Sequence, residues 1–168
     1  MINIRKGCFE TNSSSTHSIC ISKLKDYKIP SDLYFELGEF GWQPRVYFGT
    51  RDLASYLYTA LWELYGDTDI KQYEKYKNYI YEVLGKHGCE AVFCEPEPNS
   101  FGWIDGYIDH SYCLQDWVDR LMNSEATLMR YLFSPESFII TGNDNGDEYT
   151  HLRETMNFEN VEEFYKGN

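Results

Sequence analysis

The stretch that most constrains the fold is Glu10-Thr11-Asn12-Ser13-Ser14-Ser15-Thr16-His17-Ser18, a run of polar side chains with no apolar residue inside it. Ile2-Asn3-Ile4-Arg5 before it and Ile19-Cys20-Ile21-Ser22 after it alternate apolar with polar, as half-buried strands do. Nothing in the run fills a core. It is therefore expected to be a loop between two strands, either solvated or used.

After Ile21, Lys23 to Pro30 is a polar, basic connector. Residues 33–37 and 45–48 have strand patterns. The glycines and proline of residues 38–44 predict a loop between them, with Trp42 as a lid over the core or an exposed ligand anchor. Thr50 is expected to cap a helix whose apolar face is Leu53, Leu57, Leu61 and Leu64, ended by Gly66. A second helix is predicted from Thr68 or Asp69 to Lys86. Its buried stripe is Ile70, Tyr73, Tyr76, Ile80, Val83 and Leu84, with Lys71, Glu74, Lys75 and Lys77 outside.

Further along, Ala91–Cys94 is a predicted strand, and the prolines of residues 95–99 predict a surface loop. Residues 103–111 are expected to be a strand broken by Gly106 or by a bulge. Helices follow over Leu114–Leu121 and after a Ser124 cap, then a strand at Phe138–Ile140. Asn143-Asp144-Asn145-Gly146 predicts a hairpin turn, with Glu148–His151 pairing back and Asn157 capping a last helix through Val161 and Phe164. The sum is one α+β domain over residues 1–168: a mainly antiparallel sheet packed against four to five helices.

Of the 168 residues, 17% are aromatic, Tyr 15 among them, so the core must be built partly from rings with polar tips. No apolar run approaches the roughly 18 residues of a membrane span, and no signal-peptide pattern opens the chain. A cytoplasmic protein is expected. Cys8, Cys20, Cys89, Cys94 and Cys113 lack zinc-site spacing and are expected to be free thiols. The sequence identifies no metal site and no cofactor.

The net charge of -12 is uneven. Residues 1–30 carry five basic and two acidic side chains, a net of +3, so the remainder carries -15. Direct binding to a nucleic-acid backbone is disfavoured, because such binding relies on neutralising phosphates. An acidic face suits a protein partner with a basic surface, or serves only solubility.

Three polar clusters bear on function. In the first, Arg5, Asn12, Ser13, Ser14, Ser15 and Thr16 offer donors for a phosphate or sugar. His17 can serve as acid or base, with Glu10 orienting it or taking a proton. The competing reading is a turn bonded to its own backbone. No glycine lies inside Glu10–His17, so this is neither a P-loop nor a dinucleotide fingerprint. The second, Asp105, Asp109, His110 and Ser111, suits a metal or an orienter–base pair, but a strand end passing into helix caps is favoured. The third, residues 143–148, lacks the ligand spacing of a calcium loop and is assigned to a turn. His87 is assigned no role, and His151 is left open.

Arg5, Gly7 and the segment Phe9-Glu10-Thr11-Asn12-Ser13-Ser14-Ser15-Thr16-His17-Ser18 together resemble the N-terminal signature of uncharacterised small proteins in phages, prophages and mobile elements of Gram-positive bacteria. Asp109-His110 and Gly142-Asn143-Asp144-Asn145 resemble further segments of that group. The resemblance implies a phage setting in a bacterial cytoplasm and transfers no activity. It also implies that three loops converge on one pocket.

Two functions are consistent with these features. The first is an accessory protein that binds and inhibits a host factor with a basic surface, such as a nucleic-acid-guided defence nuclease. The alternative is a small transferase or hydrolase acting on a nucleotide or phosphorylated substrate. In it, His17 and Glu10 work with Asp109 and His110, and Arg5 clamps the anion.

Overall fold

The computed structural model describes residues 15–41, 43–102, 104–109, 114–143 and 147–167. Its centre is an antiparallel sheet of four strands, β1 (Ser15–Ser22), β4 (Arg45–Phe48), β7 (Phe138–Asn143) and β8 (Val161–Gly167), in the order β4-β7-β1-β8. Two short parallel pairs flank it. β2 (Asp32–Phe35) pairs with β5 (Glu90–Phe93), and β3 (Glu39–Phe40) pairs with β6 (Tyr107–Ile108). The helices are α1 (Thr50–Leu61), α2 (Ile70–Lys86), α3 (Leu114–Met122), α4 (Glu125–Phe133) and α5 (Asp147–Thr155). This is the expected α+β domain.

Alternation along β1 divides the molecule into layers. Ile19 and Ile21 face a large cluster with Leu53, Leu57 and Leu61 of α1, Trp117 and Leu121 of α3, and Leu128 and Leu132 of α4. Cys20 faces the other way, into a smaller cluster with Phe138, Ile140 and Tyr149, against which Leu152 packs. The four-residue leucine spacing of α1 puts its apolar stripe against the sheet. Asp69, one of the two predicted starting residues, caps α2 by accepting from the Gln72 amide; Ser124 caps α4 by accepting from the Thr127 amide, as the sequence predicts.

Several expectations are corrected. Ser15 to Ser18 are not loop. They begin β1 and are buried, none more than 3% exposed. A helix on each face supplies a hydroxyl, Tyr56 of α1 to His17 and Tyr149 of α5 to Ser18, and such partners permit polar side chains in a central strand. Gly49, at φ 90, rather than Thr50, is the cap of α1, and no side chain bonds the first turn. Within α2, Ile70 is 56% exposed at the first turn. Lys77 is buried instead, its Nζ 3.0 Å from Glu95 Oε1 and over the rings of Tyr73 and Phe93.

The pairing of residues 148–151 against β7 is overturned: they lie in α5. Both edges of β7 are already taken by β1 and β4. Tyr149, Leu152 and Met156, at helical spacing, instead cover the second face of the sheet. The predicted last helix is strand β8, which occupies the open edge of β1. Asn157 accepts from the Glu159 amide in a turn rather than a helix cap. Among the described residues of the strand expected over residues 103–111, only Tyr107–Ile108 is paired in a ladder, and Ile104 bridges Pro98. Trp42 lies outside the described residues.

Gly106 does break that segment. Its φ is +130, and a Cβ there would sit 2.7 Å from Leu37 Cβ. Gly106→Ala is expected to cost about 1–3 kcal/mol in urea denaturation. Gly85→Ala, in α2 with open space around it, is expected to be neutral or to stabilise by about 0.5–1 kcal/mol. Equal effects at the two sites would sink this account.

β8 is tied to α3 and α4 through Glu163. Its carboxylate accepts from Arg120 Nε at 3.0 Å and Nη2 at 3.1 Å, and from Tyr165 Oη at 2.9 Å. Arg130 Nη2 lies 3.4 Å away and also pairs with Glu162. Burial pushes the Glu163 carboxyl up, but the Arg120, Tyr165 and Thr127 hydrogen bonds outweigh it and hold the group below its ordinary value. A carboxyl depressed on folding stabilises above its unfolded value, about 4.3, and loses that contribution as pH falls through the folded value. The stability gap between the native chain and Glu163→Gln should therefore be full at neutral pH and close below about pH 4. A gap unchanged from neutral to strongly acidic pH would refute the assignment.

Candidate functional site

His17 lies on the α1 face of β1, 3% exposed. Its Nδ1 is 2.9 Å from Tyr56 Oη, and its Nε2 is 3.2 Å from Ser15 Oγ. Ser15 and His17 share this face because they are two apart on a strand. Tyr56 reaches them from α1, its ring set edge-on to Phe40 at 4.7 Å and to Trp117 at 5.6 Å. Burial, then the charges of Glu63 and Tyr47, push the Tyr56 phenol well above its ordinary value, so it stays protonated. With one phenolic hydrogen, Tyr56 selects the tautomer. If it donates to Nδ1, then Nε2 carries a proton toward Ser15. If it accepts, Ser15 donates to Nε2, the arrangement in which histidine withdraws a proton from a hydroxyl.

On the other face, Ser18 Oγ meets Tyr149 Oη of α5. Farther along β1, the Ser22 amide donates to Ser137 Oγ, which donates to the Arg130 carbonyl. α1 thus satisfies His17 on one side of β1, and α5 satisfies Ser18 on the other.

Sheet register brings the separate segments together. Ser15 is opposite Asn143, Thr16 is opposite Gly142, and His17 is opposite Thr141. Thr141 in turn is opposite Arg45 at the start of β4, and its Oγ1 donates to the Gln43 carbonyl at 2.8 Å. Directly opposed residues point to one face, so Arg45, Thr141 and His17 form a row across three strands, with Arg45 and His17 about 10 Å apart at the backbone. Arg45 is exposed, its guanidinium 4.8 Å from the Tyr47 ring centroid.

Asp109 reaches the same end of the sheet. Its amide donates to the carbonyl of Phe40, whose ring packs on Tyr56. The preceding amide, Ile108, donates to Glu63 Oε1 at 2.7 Å, and Glu63 lies in a π-helical turn (Trp62–Gly66) that continues α1. Such turns place a side chain where an α-helix would not. Gly66 permits this one, since a Cβ there would lie 2.5 Å from the Trp62 ring.

Of the predicted site residues, Ser15, Thr16, His17 and Asp109 therefore gather around the β1 start, the β7 end and the β6 end. Arg5, Glu10, Asn12, Ser13, Ser14 and His110 lie outside the described residues, as do Asp144 and Asn145. The described part of β1 begins at Ser15, directly opposite Asn143 at the end of β7, and Asp109 follows β6 beside Phe40. Sequence reasoning missed Tyr56, Glu63 and Arg45. The one signal for Tyr56 was a polar-tipped ring beside Leu53 and Leu57 in an apolar helix face.

Among the described residues no group of three or more His, Cys, Asp or Glu could hold a metal ion. Cys20, Cys89 and Cys94 are free thiols; burial pushes the Cys20 thiol up to about 12, so it is not a thiolate at neutral pH. Among the described residues, no helix is long and apolar enough to cross a membrane. No family model, curated protein or solved structure matches the chain.

Proposed function

We propose that this protein binds a small anionic substrate, a nucleotide or another phosphorylated compound, at the end of the sheet where β1 begins, and acts on it as a transferase or hydrolase. The observation that carries this reading is the Ser15–His17–Tyr56 chain of hydrogen bonds buried in a central strand. A strand made only for stability would place apolar side chains there, because each buried polar group must recover its lost hydration. Arg45 supplies a cation in the row of His17, and Arg5 and Lys6 precede the run in sequence. In the reaction, His17 moves the proton, Tyr56 sets its tautomer, and Arg45 draws the anion.

Thermal unfolding with nucleotides, sugar phosphates and inorganic phosphate tests this. A ligand at about 100 times its dissociation constant stabilises by about 2.7 kcal/mol. Arg45→Gln should leave the unliganded midpoint nearly unchanged, within about 1 kcal/mol for an exposed side chain, and remove most of the ligand shift. No shift with any of these anions at millimolar concentration would sink the proposal.

The uneven charge favours a second reading. A chain carrying -15 beyond residue 30 suits a protein partner with a basic surface, and in a phage setting that partner would be a host factor such as a defence nuclease. Inhibition that survives His17→Ala would separate this reading from the first.

A further inference from the structure

We infer that the turn at Asn99–Gly102, with the acidic residues on either side of it, is a docking element for a basic protein surface that carries an apolar pocket. Phe101, at its tip, is 83% exposed, more than any other large apolar side chain described. The tip is nevertheless held in shape. The Phe101 amide donates to Asn99 Oδ1 at 3.0 Å, and the Gly102 amide donates to the Asn99 carbonyl at 2.8 Å. Asn99 Nδ2 donates to Asp105 Oδ1 at 2.9 Å, and Pro98 bridges Ile104 across the base. Gly102, at φ +79, supplies the left-handed residue this turn needs.

The charged side chains of this segment have one sign. Residues 94–109 contain Glu95, Glu97, Asp105 and Asp109 and no lysine or arginine. Glu95 is neutralised by Lys77, while Glu97 and Asp105 are exposed and have no ion-pair partner among the described residues. Beside the base, β3 adds the exposed Glu39 opposite Tyr107, itself 41% exposed.

A rigid aromatic fits a pocket at little entropic cost, and the Glu97 and Asp105 carboxylates of the same segment select basic surroundings for it. The same carboxylates repel nucleic acid and anionic lipid. This rests on the protein-binding reading and names the surface and the partner's chemistry.

The test is an amide-resolved NMR titration of the full chain with a synthetic amphipathic lysine–leucine peptide, at low and high salt. Shifts confined to residues 94–107 are expected, with binding that weakens as salt rises. Phe101→Ala should weaken binding at least tenfold, and Glu97→Gln with Asp105→Asn several-fold. Asparagine at 105 still offers an oxygen to Asn99, so the tip keeps its shape. Phe48→Ala, 67% exposed on β4, should change nothing. Shifts mapping elsewhere on the acidic surface would overturn the assignment to this turn while sparing the protein-binding reading. No shift anywhere at millimolar peptide would overturn both. Equal binding by Phe101→Ala, or Phe101-dependent binding to zwitterionic lipid vesicles, would also overturn the assignment.

Discussion

Trp117→Ala is expected to lower the unfolding free energy by about 3–5 kcal/mol, the largest effect of any single substitution considered. Trp117 is fully buried where α3 meets α1 and α4, in edge contact with Tyr56 at 5.6 Å and Tyr131 at 5.3 Å. Removing the indole opens a cavity among rings that are themselves anchored, Tyr131 by its hydroxyl on the Leu53 carbonyl at 2.7 Å. Neighbours fixed in this way cannot collapse into the gap, which puts the cost at the high end. For a domain of this size the melting midpoint should fall by about 6–20 °C. Trp117→Phe should cost much less. It keeps most of the ring, and Trp117 Nε1 has no hydrogen-bond partner among the described residues to lose. A loss under about 1 kcal/mol for alanine would mean that the three-helix contact is not where the fold is held.

The second large effect is a coupling. Tyr56→Phe removes the hydroxyl that engages His17 Nδ1 and should cost about 1–3 kcal/mol. His17→Leu should cost a similar amount, because it strips the ring nitrogens from Tyr56 and Ser15. The double variant should cost less than the two singles together, by about 0.5–3 kcal/mol, since apolar groups then replace both ends of one buried hydrogen bond. Additive costs measured by denaturant titration would show that the two side chains do not work as a unit. The same variants bear on function: if His17 moves the proton, Tyr56→Phe should shift the pH dependence of turnover, which a purely structural contact would leave alone.

Much of the chain was legible because local signals and tertiary burial agree. The leucines of α1, the start of α2 next to Asp69 and the Ser124 cap of α4 lie where the sequence predicts. The failures share a cause. Residues 148–151 and 161–164 are short and ambiguous in period, so their state depends on which sheet edges are open, and no local pattern records that. β1 and β4 occupy both edges of β7, so 148–151 became helix; β1 had a free edge, so 161–167 became strand. Lys77 is buried because Glu95 and the Phe93 ring, both outside its own helix, join the Tyr73 ring of the preceding turn in receiving its charge.

The run at residues 10–18 shows the same division. By itself the sequence determined that these side chains are polar, basic just upstream, and without the glycines of a phosphate loop. It implied a loop, because a hydroxyl or an imidazole is unstable in a core without partners. Only the tertiary structure supplied those partners. Tyr56 from 39 positions away and Tyr149 from 131 turned Ser15–Ser18 into a buried central strand. Register across β1, β7 and β4 then placed His17 and Arg45 in one row. Such pairings join residues far apart in sequence, and local periodicity carries no information about them.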